Sequence, residues 1–301
     1  MIEKKIPVIL DTDIGSDIDD TWALIMMLNS PELDIKLITT ATGNPIERAR
    51  IVAKLLEEAG RTDIPIGIGV NPGNDHVCNQ AEWVEDYSLD DYPGIVYEDG
   101  VDAMVEMILD SDEEVTLTCI GPLPNIGEAL RREPEIVENA RFVGMHGSIY
   151  KGYNGSNTPD AETNVRLFTD DCQLVFESDW DMTITPLDTC GIVYLDGEDY
   201  QKVYHSDNPL LKALMENNKI FAKNCSWMDY TDYDSKSTTL FDNVAIYLSY
   251  SEELLEIEDL NIMVTDDGMT KINSGGKLVH CAVKWKNIDG FKKHLVSRLL
   301  K

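Results

Sequence analysis

Five aspartates fall within ten residues near the start of the chain: Asp11, Asp13, Asp17, Asp19 and Asp20. They follow the apolar run Pro7 to Leu10, which reads as a strand, and lead into a helical pattern from about Asp19 to Leu28. Carboxylates this crowded repel one another unless a cation neutralises them, and several oxygen donors suit a hard ion such as Ca²⁺ or Mg²⁺. Aspartate is also favoured at a helix start, which would account for Asp19 or Asp20 but hardly for all five. In an open α/β sheet, ligands sit beyond the carboxyl ends of the strands. The loop therefore points to a metal or catalytic centre.

Such a centre needs a sheet to position it, and the chain supplies the pattern. Further strands are expected at Ile35 to Thr40, Ile64 to Val70, Val115 to Ile120, Arg141 to Met145 and Met182 to Leu187. Helices are expected from Pro45 to about Ala59, Gly100 to Leu109, Pro122 to Arg132 and about Asp170 to Glu177. Between Asn71 and Tyr97 lies a long polar loop. This alternation implies βαβ units: an α/β fold with a mostly parallel central sheet flanked by helices, a Rossmann-related open sheet. Tyr194 to Asp234 reads as a mainly helical excursion, followed by a helix from about Asp242 to Tyr250. Leu260 to Thr265 and Lys277 to Trp285 are expected to pair as a hairpin, and a helix from Phe291 to Leu300 follows. With no repeat, low-complexity tract or linker, residues 1–301 are expected to form one domain.

Composition narrows the partners. Lys+Arg is 25 against 55 Asp+Glu, a formal charge of −30. A field of that sign repels phosphate backbones and disfavours nucleic acid. No run of 18 apolar residues exists, so no membrane span is expected. The polar start, Met1 to Lys5, carries no apolar signal segment, and the six scattered cysteines form no CxxC pair. Both features lead us to expect a cytoplasmic protein with reduced thiols.

Haloacid-dehalogenase-type phosphatases and nucleoside hydrolases both place a DxD directly after the first strand. Asp11-Thr12-Asp13 fits either, while Gly15, the Asp19-Asp20 pair and Ala23 fit the DTDxGxDDxxA of the second. Leu117 to Ile126, ending Gly-Pro-Leu-Pro-Asn-Ile, resembles the hydrolases' GPLTNI segment, and Gly144-Met145-His146-Gly147 resembles their Met-Gly-Gly turn. Thr158-Pro159-Asp160-Ala161-Glu162-Thr163-Asn164 resembles TPxAEFN, and Pro186-Leu187-Asp188 resembles VPLD. Phe241-Asp242-Asn243-Val244-Ala245 stands at the place of HDPLAV. In family order from residue 8 to about 248, these segments identify the chain as resembling the inosine-uridine-preferring nucleoside hydrolases.

That resemblance implies calcium-dependent hydrolysis of the N-glycosidic bond of ribonucleosides, with a nucleoside as substrate and a homo-oligomer, dimer or tetramer, as the assembly. It implies Asp13 as metal ligand and general base, with Asp20, Asp242 and the carbonyl of Ile120 completing the Ca²⁺ site. On the sugar side it implies Asp19, Asn44, Met145, Ser156, Asn157, Glu162 and Asn164. Glu162 and Asn164 also suit helix capping or core hydrogen bonding. An oxocarbenium-like transition state explains the residue types, because carboxylates stabilise positive charge growing on ribose.

Three departures stand out. Asp13 and Asp19 are six positions apart, where the common pattern gives four, so Asp17 is an extra carboxylate that either contacts the sugar or sits in solvent. Phe241 replaces the His that helps protonate the departing base. Another acid, aromatic stacking or a different substrate must then compensate. Ser156 stands where the family has Asn. Leaving-group candidates are His76 and Trp83 in the long loop and Trp227, Tyr230 and Tyr233 before Asp242. They serve equally to pack those loops, and His146 reads as structural. Two other functions remain open: a calcium-dependent nucleoside or sugar binder with little turnover, and a phosphatase.

Overall fold

Strand residues alternate between two apolar layers, with Val8 and Leu10 buried on one face and Ile9 on the other. The computed structural model describes residues 4–71, 73 and 77–301. Its strands are β1 (Ile6–Thr12), β2 (Leu33–Thr40), β3 (Ile66–Ile68), β4 (Val96–Tyr97), β5 (Val115–Cys119), β6 (Ala140–Met145), β7 (Met182–Thr185), β8 (Leu255–Val264), β9 (Thr270–Ile272) and β10 (Lys277–Trp285). They form one sheet in the order β4-β3-β2-β1-β5-β6-β7-β10-β8-β9. From β4 to β10 every neighbour pair is parallel, while β8 pairs antiparallel with both β10 and β9. The α/β, mostly parallel architecture is as expected.

The helices are α1 (Asp19–Leu28), α2 (Pro45–Glu58), α3 (Gly100–Leu109), α4 (Pro124–Arg132), α5 (Thr163–Leu167), α6 (Thr169–Glu177), α7 (Leu187–Cys190), α8 (Gly197–Tyr204), α9 (Pro209–Asn224), α10 (Asp242–Leu248) and α11 (Ile288–Leu299). α1, α2, α9, α10 and α11 bury apolar faces in one layer, and α3, α4 and α6 in the other. Among the described residues, no helix is long and apolar enough to cross a membrane.

Several boundaries differ from the sequence reading for physical reasons. The third strand shortens to Ile66–Ile68, because Ile64 N–H closes a turn on Arg61 and Val70 N–H turns to the Asn125 side chain. The long loop holds short 3₁₀ turns at Ala81–Val84 and Leu89–Asp91 and the edge strand β4. The two late strands pair antiparallel as expected, but β9 is inserted between them in sequence and pairs with the other edge of β8, so β8 is the central strand of a three-stranded antiparallel unit. β8 starts at Leu255 through a run of Glu and Asp that is mostly solvated, so its alternation is weak in sequence. The stretch read as a helical excursion holds α8 and α9. Leu210, Leu211, Leu214 and Phe221 bury α9 in the core.

Where the sheet turns antiparallel, His280 on β10 lies 2.6 Å from Asp259 and 3.2 Å from Asp181. Partial burial pulls its pKa down, but the hydrogen bond to Asp259 and the charges of Asp181 and Asp259 outweigh this and raise it. A raised folded pKa means that the contribution is complete below the ordinary value, about 6.5, and fades as pH rises through the folded one. Solvent screens the pair, so the effect is modest. The melting-temperature gap between wild type and His280→Gln is expected to narrow as pH is raised from about 6 to about 8. A gap constant across that range would rule out the imidazolium as its source.

Candidate active site

β1 is the hinge of the topology. The chain runs outward from it through β2, β3 and β4, then crosses back to pair β5 with its other edge. That reversal opens a crevice at the carboxyl ends of β1 and β5, the place where open α/β sheets bind ligands. In register, Asp11 lies between Thr39 of β2 and Cys119 of β5. Asp13 follows β1, and Ile120 and Gly121 follow β5. A Cβ on Gly121 would stand 2.7 Å from Asp13 Oδ1, so this position admits only glycine.

Asp19 and Asp20 open α1, whose N-cap is Ile18 with no side-chain cap. Asp242 opens α10, whose N-cap Phe241 likewise offers none. These aspartates are therefore not capping residues. Two helix N-termini with buried acidic first residues converge, and their dipoles favour the negative charge. Carboxylate oxygens of Asp19, Asp20 and Asp242 lie within 4.8 Å of one another, and all three residues are buried. Burial, then the neighbouring aspartates, holds all three well above the usual carboxylate range. Asp13 acts on each of them electrostatically, and the Thr12 hydroxyl donates to Asp20. Asp17 is half-buried, not solvated, and burial pushes it up to about 6, with Asp13 adding to the effect. An all-oxygen set of buried carboxylates that charge one another fits a hard cation well.

Asp11 plays a different part. Its carboxylate accepts from Thr39 Oγ1 at 2.5 Å and Asn125 Nδ2 at 2.7 Å, and Asn125 Oδ1 accepts from Val70 N–H at 2.8 Å. Asp11 thereby ties together the ends of β1, β2 and the segment after β3, and burial pushes it up to about 7.

The sugar-side residues separate into two groups. Glu162 is buried and caps α5, accepting from the N–H groups of Asn164 and Val165 and from Gly147 N–H. Burial raises it to about 7, and Asp13 contributes to that rise. Asn164 Nδ2 donates to the carbonyls of Ile120 at 3.2 Å and Met145 at 3.1 Å, joining the ends of β5 and β6. Capping and core bonding are thus real roles of both, played within reach of the Asp13 charge. Asn44 is exposed and caps α2 through Glu47 N–H. Ser156 and Asn157 are exposed on the turn after Tyr153–Gly155, where Asn157 accepts from Lys151.

Of the leaving-group candidates, His76 lies outside the described residues. Trp83, Tyr230 and Tyr233 line a cavity of about 640 Å³ with one face of α9, and no aspartate of the cluster lines it. Tyr230 is buried, and its hydroxyl donates to the Lys236 carbonyl at 2.9 Å. Trp227 is exposed and leans on Phe221, with ring centroids 5.8 Å apart. Phe241 meets Tyr153 edge-on at 6.1 Å beside Asp242. His146 is buried on the Gly121 carbonyl at 3.1 Å, and burial drives it down to about 3, so it stays neutral. A neutral ring must donate that bond from Nε2, which makes it a structural group.

Sequence reading missed Arg48, Asn79 and Gln80, which hold the acidic loop from behind. Arg48 had a usable signal. It falls on the stripe of α2 that Ile51, Val52 and Leu55 bury, and a charged residue on an apolar stripe needs buried partners.

Comparison with known proteins gives the family and agrees with the fold. The family model described as inosine-uridine preferring nucleoside hydrolase matches residues 8–293. A probable uridine nucleosidase 2 from Arabidopsis thaliana is 27% identical over 96% of this chain and 88% of its own length. The pyrimidine-specific ribonucleoside hydrolase RihA of Enterobacter sp. (strain 638) is 31% identical over 70% of this chain and 69% of its own. Among solved structures, the plant nucleoside hydrolase PpNRh1 superposes with a TM-score of 0.83 at 22% identity, covering 99% of both chains. A purine-preferring ribonucleoside hydrolase from Gardnerella vaginalis gives 0.78 at 20% identity over 98% of both. With the acidic crevice at the β1/β5 switch point and a family match over nearly the whole length, the chain belongs to the inosine-uridine preferring nucleoside hydrolase family, enzymes that cleave the N-glycosidic bond.

Proposed function

We propose that the chain hydrolyses ribonucleosides to ribose and free base with Ca²⁺ at the Asp19–Asp20–Asp242 cluster, Asp13 serving it as well. The observation that carries this reading is the meeting of those buried carboxylates within 4.8 Å from helices at opposite ends of the chain. Asp19, Asp20, Asp242 and Asp13 would hold a hard cation there, which when bound would supply positive charge that lowers the pKa of a water. Asp13 takes the proton as water attacks the anomeric carbon and the C–N bond breaks. Asp19 accepts a ribose hydroxyl, and the clustered carboxylates stabilise the positive charge on the sugar. The Ile120 carbonyl, which accepts from Asn164 Nδ2 at 3.2 Å, would offer its second lone pair to the cation. Glu162, Asn164, Met145, Asn44, Ser156 and Asn157 make up the sugar side.

Among the described residues all ten strands share one sheet, which supports a single domain, and six free cysteines support a cytoplasmic location. A dimer or tetramer follows from family resemblance and is read by light scattering. The deciding assay is ribose release from a panel of purine and pyrimidine nucleosides, with calcium and with a chelator. Release that needs calcium supports the proposal. Binding without release would make the chain a binder, and phosphate release from sugar phosphates a phosphatase.

Phe241 bears on the base. It stands beside Asp242 and carries no proton to donate. Phe241→His is expected to raise turnover on natural nucleosides, within the roughly 10²–10⁴-fold worth of a general acid, and to leave nitrophenyl riboside unchanged. Equal gains on both substrates would show that the ring acts by packing alone.

A further inference from the structure

We infer that Arg48 is the positioning residue of the acidic loop, fixing with Asn79 and Gln80 the backbone of residues 13–17 and so the aim of its carboxylates. The inference rests on the reading of the cluster as a cation site.

The loop is longer than the common family spacing, so its extra residues must be ordered by something outside it. Arg48, fully buried in the second turn of α2, supplies much of that order. Its guanidinium donates to the carbonyl of Asp13, to that of Ile14 at 2.9 Å and to the Ser16 hydroxyl at 2.8 Å. The remaining carbonyls go to the segment after β3. Gln80 N–H donates to Gly15 at 3.3 Å, Asn79 Nδ2 to Ser16 at 2.8 Å and Gln80 Nε2 to Asp17 at 2.6 Å. Every carbonyl from Asp13 to Asp17 therefore meets a donor from elsewhere in the fold. Gln80 is itself anchored, since Thr21 of α1 donates to its Oε1 at 3.1 Å.

Two details show that the clamp is built rather than incidental. Arg48 Nε donates at 3.0 Å to the carbonyl of Thr42, a β-branched residue at φ 67, where such residues are rarely held. A Cβ on Gly15 (φ +107) would stand 2.6 Å from Cys78 Sγ and 2.9 Å from Ile51, so the loop lies flush against α2 and the 78–80 segment. Only a guanidinium offers a rigid fork of donors to several carbonyls at once, and its positive charge also favours the ionised form of Asp20. Carboxylates aimed in advance pay no ordering cost when a cation arrives.

The test is calorimetric titration of the full chain with calcium chloride, beside metal-free melting curves, for wild type, Arg48→Lys, Arg48→Met, Asn79→Ala and Gln80→Leu. Arg48→Met is expected to weaken calcium binding by about 10–100-fold, the usual cost of losing a group that orients metal ligands. Arg48→Lys should recover only a small part of this. Asn79→Ala and Gln80→Leu should weaken binding in the same direction with the metal-free fold kept, and they decide the matter if Arg48→Met fails to fold. Variants that melt earlier yet bind calcium as wild type does would reduce these residues to packing and overturn the inference. Wild type that binds no calcium would overturn the cation reading itself and this inference with it.

Discussion

Asp13→Asn is expected to lower turnover by about 10²–10⁴-fold, the usual worth of a general base, while calcium affinity falls far less. The amide keeps the shape of the side chain and one oxygen, but it cannot take a proton from water. Asp13 is buried at the head of the crevice with Gly121 against it, so the substitution has no room to relocate the side chain. Asp13 also raises the pKa of Asp19, Asp20 and Asp242 through its charge. Removing that charge relieves repulsion, and the metal-free variant is expected to melt above wild type, a trade of stability against activity common at such sites. Ribose release, calcium titration and melting curves check the three parts separately. Near-normal turnover would move the base elsewhere, with Asp17 and Asp19 next to test.

Chelation should have the other large effect. Without a cation, buried carboxylates face one another across the cluster, so removing calcium is expected to abolish turnover and lower the melting temperature together. A ligand bound only by the folded state stabilises it by about 2.7 kcal/mol at 100 times its Kd and about 4.1 kcal/mol at 1,000 times. For a chain of 301 residues that corresponds to roughly 4–7 °C. Asp242→Asn should shrink the calcium-dependent part of this shift. A melting curve and a rate that ignore the chelator would sink the cation proposal outright.

Local chemistry explains which parts of this protein were readable in advance. The βαβ alternation announces itself because buried parallel strands read as apolar runs and capped helices carry their own stop and start signals. Asn44 and Pro45 at α2 are an instance, with Gly60 (φ +62) beyond its end. The acidic loop was legible because five aspartates are too costly to crowd without a reason. The second half of β8 was legible, but its first half and β9 were not, since a half-solvated antiparallel strand pays little for polar residues and loses its alternation.

The site shows the same division. Residue type and order alone determined that this chain carries an acidic centre after its first strand, and Asp242 was attached to it by motif resemblance. Only the tertiary structure decided that Asp19, Asp20 and Asp242 are the carboxylates that meet, because convergence of α1 and α10 depends on how two helices pack from opposite ends of the chain. It also decided that Tyr230 spends its hydroxyl on the Lys236 carbonyl in a cavity bordered by α9, a matter of side-chain direction that spacing does not encode. Arg48 is the clearest case. Its place on an apolar stripe was a signal that went unread, and its partners are mostly carbonyls, which every residue carries and no sequence singles out.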